Sequence, residues 1–243
     1  MRSVAVLLAP VLALAGCGAQ PPADRLAVFA AASLTRAFTE LNSAAPAADS
    51  DTPIGFTFAG TADLLAQLAA GARADVFATA DAATMEKAAA LGLVTTSVAF
   101  ATNTLTIAVA PGNPKQITGL RDLTRVTVVA CAPQVPCGAA LARIDAAAGV
   151  DLDPASEETS VTDVLNKVVT GQADAGLVYV TDARSAGDDV TAVPFPESVM
   201  APNTYRIAVT RDAADPARAA RFVDLVTGPV GRDVLRRAGF GEP

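Results

Sequence analysis

The spacing of hydrophobic and polar positions changes period repeatedly along this chain. Leu26 to Phe29 is a short apolar run that passes through small residues to Ser33, after which Leu34, Phe38 and Leu41 recur at helical spacing. The pattern predicts a strand, a tight turn and a helix reaching about Ala44, with Ser33 as its N-cap. Ile54-Gly55-Phe56-Thr57-Phe58 alternates like a strand and runs through Ala59-Gly60-Thr61 into a helix carrying Leu64, Leu65 and Leu68, which stops at Gly71. Ala74 to Ala78 is a third strand, and Ala80-Asp81 opens a helix that ends near Leu91-Gly92. Strands alternating with helices in this way imply a parallel sheet covered on both faces. Ala45 to Asp51 is a polar, alanine-rich loop.

The second half repeats the alternation. Thr104 to Ala110 reads as a strand leaving through the breakers Pro111-Gly112-Asn113-Pro114, and marks a first crossing between two lobes. Strand Val126 to Ala130, a helix from Cys137 to Ala147, a helix from about Val161 to Val169 and strand Ala175 to Tyr179 follow. Thr181-Asp182-Ala183 opens a further helical turn, Tyr205 to Val209 is the return crossing, and Phe222 to Ala238 supplies C-terminal helices. The expected organisation is one α/β lobe from residues 25–104 plus 205–243 and a second from 105–204. Each is a mainly parallel sheet flanked by helices, and two crossing strands join them. Such lobes bind ligands where strand ends face a crevice, and hinge closure buries what is bound.

The first residues change the picture of where the chain works. Met1-Arg2-Ser3 and the apolar run Val4 to Ala15 have the charged and hydrophobic regions of a secretory signal, too short to span a bilayer comfortably. Leu14-Ala15-Gly16-Cys17 resembles a bacterial lipobox, in which the cysteine is acylated and becomes the mature N-terminus. Residues 1–16 are then a signal peptide and 17–24, including Gln20-Pro21-Pro22, a tether from a lipid anchor on Cys17. The plainer alternative is an ordinary signal peptide with an incidental cysteine. No other unbroken apolar stretch is long enough for a membrane span, so the mature chain is expected to be extracytoplasmic and held at the membrane by lipid.

Charge and composition exclude more than they propose. Without Arg2 there are 17 basic against 25 acidic residues, a net charge of −8, which argues against nucleic acid and anionic membrane surfaces as ligands. There is no histidine, which removes the Ser-His-Asp triad, the usual zinc sites and the commonest general base. With Cys17 lipidated, Cys131 and Cys137 remain as a pair in an oxidising compartment, at a spacing that fits no zinc or thioredoxin-type pattern. A structural disulfide is the favoured reading, and so short a loop gives roughly 2 kcal/mol in the chain-entropy model.

An anion can sit at a helix N-terminus without a basic side chain, because unpaired N–H groups and the helix dipole favour negative charge there. Ser33 and Thr61 stand at two such starts, although each is also explained as a plain N-cap. Three longer stretches make the case more specific. Ala30-Ala31-Ala32-Ser33-Leu34, Gly71-Ala72-Arg73-Ala74-Asp75-Val76-Phe77-Ala78-Thr79-Ala80-Asp81 and Gly176-Leu177-Val178-Tyr179-Val180-Thr181-Asp182-Ala183 resemble, in order and spacing, the signatures of the molybdate-binding periplasmic proteins, the solute receptors of molybdate ABC transporters.

The resemblance implies a type II periplasmic-binding-protein-like fold, no enzymatic activity and no cofactor. It implies molybdate or tungstate as ligand, an ABC permease as partner, and a monomer. Carried over position by position, it places the oxyanion against the hydroxyls of Ser33 and Thr61, the backbone N–H groups of Cys137 and Val164, and the hydroxyl of Tyr179. Gly60 stands where the family commonly has another serine. Asp63 and Asp163, in the first turns of their helices, are expected to face out, since either would repel a dianion. A pocket of donors alone suits a fully ionised oxyanion, whereas phosphate carries a proton that needs an acceptor. Sulfate or another oxyanion is the alternative ligand. A remote alternative is an enzyme using Ser33 or a cysteine as nucleophile, and Tyr179 is otherwise explained as an interface tyrosine with a solvated hydroxyl.

Overall fold

The computed structural model describes residues 25–44 and 53–243. The signal peptide, the tether with Cys17 and the alanine-rich loop from Ala45 to Asp51 lie outside the described residues. The strands are β1 Leu26–Ala31, β2 Ile54–Ala59, β3 Val76–Thr79, β4 Val98–Asn103, β5 Leu105–Val109, β6 Val128–Cys131, β7 Ser156–Glu158, β8 Ala175–Tyr179, β9 Thr191–Val193 and β10 Asn203–Val209. The α-helices are α1 Thr35–Ala44, α2 Thr61–Ala69, α3 Ala82–Ala90, α4 Pro136–Ala148, α5 Val161–Val169, α6 Val180–Ala186, α7 Pro216–Thr227 and α8 Pro229–Ala238.

The strands form two five-stranded sheets, ordered β2-β1-β3-β10-β4 and β7-β6-β8-β5-β9. In each, three parallel strands carry the helices expected from the alternating pattern. The sheets are nonetheless mixed, because β10 runs antiparallel to β3 and β4, and β5 antiparallel to β8 and β9. The reason lies at the hinge. β5 and β10 leave the junction between the lobes and so run against the strands that end there. The crossing itself is short. The chain changes sheets at Thr104, between β4 and β5, and returns just before Asn203, so β5 belongs wholly to the second sheet and β10 to the first.

Each lobe has its own core. In the first, Leu34 of the turn before α1 joins Phe38 and Leu41 of α1 in a core with residues of β1 and β3, and Phe38 meets Phe222 of α7 edge-on at 5.7 Å. In the second, Val161, Val164 and Val168 form the buried stripe of α5. Gly176 of β8 makes that packing possible: a Cβ there would stand 2.8 Å from Val164 Cγ1 and 2.9 Å from Val168 Cγ2. Fully burying side chains of this size contributes about 1.5–3 kcal/mol each.

The acids of the sequence signatures are backbone staples. Asp75 accepts from the Ala27 N–H at 2.7 Å and the Ala214 N–H at 2.7 Å, tying β3 to β1 and to the C-terminal segment. Asp81 caps α3 by accepting from the Thr84 N–H at 2.8 Å. Asp182 accepts from the Tyr179 N–H at 3.1 Å at the start of α6.

Candidate functional site

The carboxyl ends of β1, β2 and β3 in the first lobe face those of β6, β7 and β8 in the second. A cavity of about 20 Å³ lies between them, lined by Ala32, Ser33, Gly60, Thr61, Ala80, Val135, Pro136, Cys137, Thr159, Ser160, Val161 and Tyr179 among others. Among the described residues no charged side chain lines it. Pockets for drug-sized ligands run to about 300–1,000 Å³, so this one has room only for something very small.

Ser33 sits in a 3-10 turn over Ala32–Leu34 that precedes α1. It is not the helix N-cap that the sequence pattern predicts. Instead its hydroxyl bonds the Tyr205 hydroxyl at 2.8 Å, a buried pair that links the turn after β1 to β10. Thr61 is the first residue of α2, with Gly60 as N-cap, and its Oγ1 accepts from the Ala80 N–H at 3.3 Å. That bond leaves the Thr61 proton to be given to a ligand. In the second lobe, Cys137 is the second residue of α4, after Pro136. Its N–H therefore precedes the first intrahelical bond, which the Ala139 N–H makes to Val135 O at 2.9 Å. A disulfide joins Cys137 to Cys131 at the end of β6. The first turn of α4 lies so close to the preceding segment that a Cβ at Gly138 would stand 2.0 Å from Ala132 O.

Tyr179, at the end of β8, is fully buried with its ring edge-on to Tyr205 at 6.0 Å. Its hydroxyl accepts from Asn203 Nδ2 at 2.6 Å. Burial, together with the nearby Tyr205 and Asp182, holds its pKa well above the ordinary tyrosine value, so the phenol keeps its proton. Burial likewise pushes Asp182 up to about 7, against the lowering effect of the Tyr179 N–H.

Ser33, Thr61, Cys137 and Tyr179 thus come together. Val164 does not line the cavity: its N–H bonds Ser160 O at 3.4 Å within α5 and its side chain packs on β8. Val164 is the fourth helical residue, where intrahelical bonding begins, and only the earlier N–H groups are open. Val161, the first residue of α5, occupies the lining position. Asp63 and Asp163 are exposed and absent from the lining, and Ser160 Oγ donates to Asp163 Oδ2 at 2.7 Å. Arg36 is exposed too, its Nη1 3.5 Å from Arg184 O.

Sequence reasoning missed Val161, Tyr205 and Asn203. The sequence pattern starts the crossing strands at Thr104 and Tyr205, so neither Asn103 nor Asn203 stood out before the fold paired them.

The lobes touch around the cavity. Gly60 of the first approaches Thr159 of the second so closely that a Cβ would stand 2.2 Å from Thr159 O. Asn103 Nδ2 donates to Thr181 Oγ1 at 2.8 Å across the hinge.

Residues 26–241 match the family described as bacterial extracellular solute-binding protein. The chain is 48% identical to the molybdate-binding protein ModA of Mycobacterium tuberculosis, over 96% of this chain and 94% of that protein. It is 27% identical to the protein of the same name from Escherichia coli, over 89% of this chain and 88% of that one. Among solved structures, the periplasmic molybdate-binding protein of Azotobacter vinelandii superposes with a TM-score of 0.77 at 21% identity, covering 89% of this chain and 98% of that chain. The sulfate-binding protein SubI of Mycobacterium tuberculosis gives 0.76 at 19%, covering 89% and 86%. With its two mixed sheets and the cavity between their strand ends, this chain belongs to the bacterial extracellular solute-binding proteins.

Proposed function

We propose that this protein captures molybdate, and also tungstate, between its lobes and delivers it to an ABC permease, as a carrier and not a catalyst. The observation that carries this reading is the lining of the cavity: among the described residues, hydroxyls and helix N-terminal N–H groups converge there without a carboxylate or a cation. Such a set offers donors to every oxygen of a fully ionised tetrahedral anion and no acceptor to a proton. The name of the relative at 48% identity supports molybdate over other oxyanions.

In this reading the donors are the Ser33, Thr61 and Tyr179 hydroxyls with the Cys137 and Val161 N–H groups, Val161 taking the place expected of Val164. The protein works outside the cytoplasm as a monomer, held to the membrane by a lipid on Cys17. The phenol of Tyr179 stays protonated through any working pH, so it remains a donor. Closure around the ion is a hinge motion about Thr104 and the segment before Asn203.

Calorimetric titration of the purified protein with molybdate, tungstate, sulfate and phosphate tests the assignment. The expected order is molybdate and tungstate at micromolar Kd or tighter, sulfate weaker and phosphate weakest. Sulfate binding tightest would reassign the ligand. Mass spectrometry of membranes from the native host is expected to find diacylglyceryl cysteine at Cys17, and cleavage elsewhere would refute the anchor.

A further inference from the structure

Asn203 lies outside the cavity and bonds two of the residues that line it, Pro136 and Tyr179. It is the first residue of β10, at the hinge, only 2% exposed, and it pairs with Asn103 of β4 across the strand ladder. Its amide orientation is fixed by three partners. Arg143 Nη2, which can only donate, reaches Asn203 Oδ1 at 3.1 Å. Pro136 O, which can only accept, lies 3.1 Å from Nδ2. Nδ2 therefore also donates to the Tyr179 hydroxyl oxygen at 2.6 Å. A hydroxyl whose oxygen already accepts a bond from the protein has its own proton free for the cavity.

We propose that Asn203, locked by Arg143, is a positioning and specificity-determining residue: by donating to Tyr179 it makes that hydroxyl a hydrogen-bond donor to the ligand, and so biases the cavity toward anions that carry no proton. The inference rests on the oxyanion-binding role proposed above. The same amide holds Pro136 O, the residue before the Cys137 N–H, so one side chain on the hinge strand sets two donors of the opposite lobe. Thr61 has the same polarity by a different route, because the Ala80 N–H fills its acceptor side. Arg143 is exposed on α4, and a chain of bonds runs from its guanidinium through this amide to the site, Arg143 to Asn203 to Tyr179. A cation is thereby aligned behind a donor while no cation lines the cavity.

The test replaces Asn203 in the purified protein and measures Kd for molybdate and for phosphate at pH 7. Asn203→Asp reverses the bond, since a carboxylate paired with Arg143 accepts the Tyr179 proton and leaves an oxygen lone pair facing the ligand. Molybdate affinity is expected to fall about 100-fold. Hydrogen phosphate, which has a proton to offer that lone pair, is expected to lose less, so the molybdate-to-phosphate ratio falls. In a Tyr179→Phe background the same substitution is expected to cost less than tenfold and to leave the ratio unchanged. A purely structural role for Asn203 would not produce that dependence on the Tyr179 hydroxyl. Arg143→Gln, a surface change that leaves the buried amide in place, is expected to give a weaker loss in the same direction, about threefold, and it keeps the question open to measurement should the Asn203 variant fail to fold.

Unchanged molybdate affinity in Asn203→Asp, or an equal loss with and without the Tyr179 hydroxyl, would overturn the inference. If Asn203→Asp does not fold, unchanged affinity in Arg143→Gln does so. Failure of the unsubstituted protein to bind any of the four oxyanions would instead overturn the proposed function.

Discussion

The two lobes are built to one plan and meet the ligand cavity with different chemistry. In both sheets three adjacent parallel strands stand in the order second, first and third, followed by the strand that leaves the hinge. β1 thus corresponds to β6, β2 to β7 and β3 to β8. The turn after the first strand carries Ser33 in one lobe and Cys137 in the other. The helix after the second strand opens with Thr61 in one and Val161 in the other, each the first helical residue after its N-cap. The first lobe offers side-chain hydroxyls at these places, whereas the second offers backbone N–H groups. The first holds its hydroxyls in place through partners elsewhere in the lobe, Tyr205 for Ser33 and Ala80 for Thr61. The second stiffens the backbone itself, with a disulfide and a glycine pressed against a carbonyl. A donor on a side chain is removed by truncation, and a donor on the backbone is not. That difference makes the lobes separable by experiment.

The sharpest test uses two glycines. Gly138 is hemmed in by its own lobe, with a Cβ contact of 2.0 Å to Ala132 O, whereas the 2.2 Å contact at Gly60 is to Thr159 O across the cleft. Gly60 has φ −56° and ψ 136°, a conformation open to any residue, so only the facing lobe demands a glycine there. Gly138→Ala is expected to destabilise the protein by about 3 kcal/mol in chemical denaturation. Gly60→Ala is expected to leave unliganded stability within ~0.5 kcal/mol while raising the molybdate Kd by at least about 100-fold, because the lobes cannot close. If both variants melt alike and bind alike, the rim contact has no role in closure.

Truncating donors comes next. Ser33→Ala and Thr61→Ala should each cost roughly 1.5–3 kcal/mol of binding, about ten- to a hundredfold in Kd by calorimetry. Replacing Cys131 and Cys137 together by alanine keeps the N–H and should change Kd by less than about tenfold. It should still lower stability by roughly 2 kcal/mol through the lost loop constraint. A larger binding loss in the cysteine variant than in Thr61→Ala would invert the comparison.

The smallest effect is on pH dependence, and it falls on the second lobe. Burial raises the Asp182 pKa to about 7, and burial with the Asp151 charge raises that of Asp145 to about 6, both from a usual value of 3.8. The folded state then binds more protons than the unfolded state between those values, so stability falls as pH rises through about 4 to 7. Lowering the pH from 8 to 5.5 should therefore stabilise the protein by about 1–2 kcal/mol in thermal melts. Asp182→Asn, which keeps an acceptor for the Tyr179 N–H, should remove most of that slope. Greater stability at pH 8 than at pH 5.5 in the unsubstituted protein would contradict the assignment.

Much of this was legible in the residues alone. The periodicity of Leu34, Phe38 and Leu41, the breaker glycines after α2 and α3 and the apolar runs of β1, β3 and β8 located those elements, because a helix or strand with one buried face must repeat at its own period. The missing histidine and the acidic balance turned attention to dipoles and hydroxyls. Two cysteines left as a pair in an exported chain, at a spacing that fits no zinc or thioredoxin-type pattern, pointed to the bridge. β4, β7 and β9 were not legible. β7 and β9 are three residues long and too short for periodicity to register. β4 owes its place to pairing with β10, more than a hundred residues later in the chain.

What only the tertiary structure decided is which residues line the cavity. Val161 and Val164 are equally apolar and one helical turn apart. Their difference, an open N–H against one already bonded to Ser160 O, depends on where the helix begins relative to the cleft. The mixed sheets, the glycine at the rim and the Arg143–Asn203–Tyr179 relay likewise arise from contacts distant in sequence: Asn203 is 24 residues from Tyr179, 60 from Arg143 and 67 from Pro136. Local pattern determines what a segment becomes, since periodicity and capping act within a few turns of chain. The direction of a hydroxyl's proton is determined by whatever fills its other side, and only the folded chain brings that partner within hydrogen-bond reach.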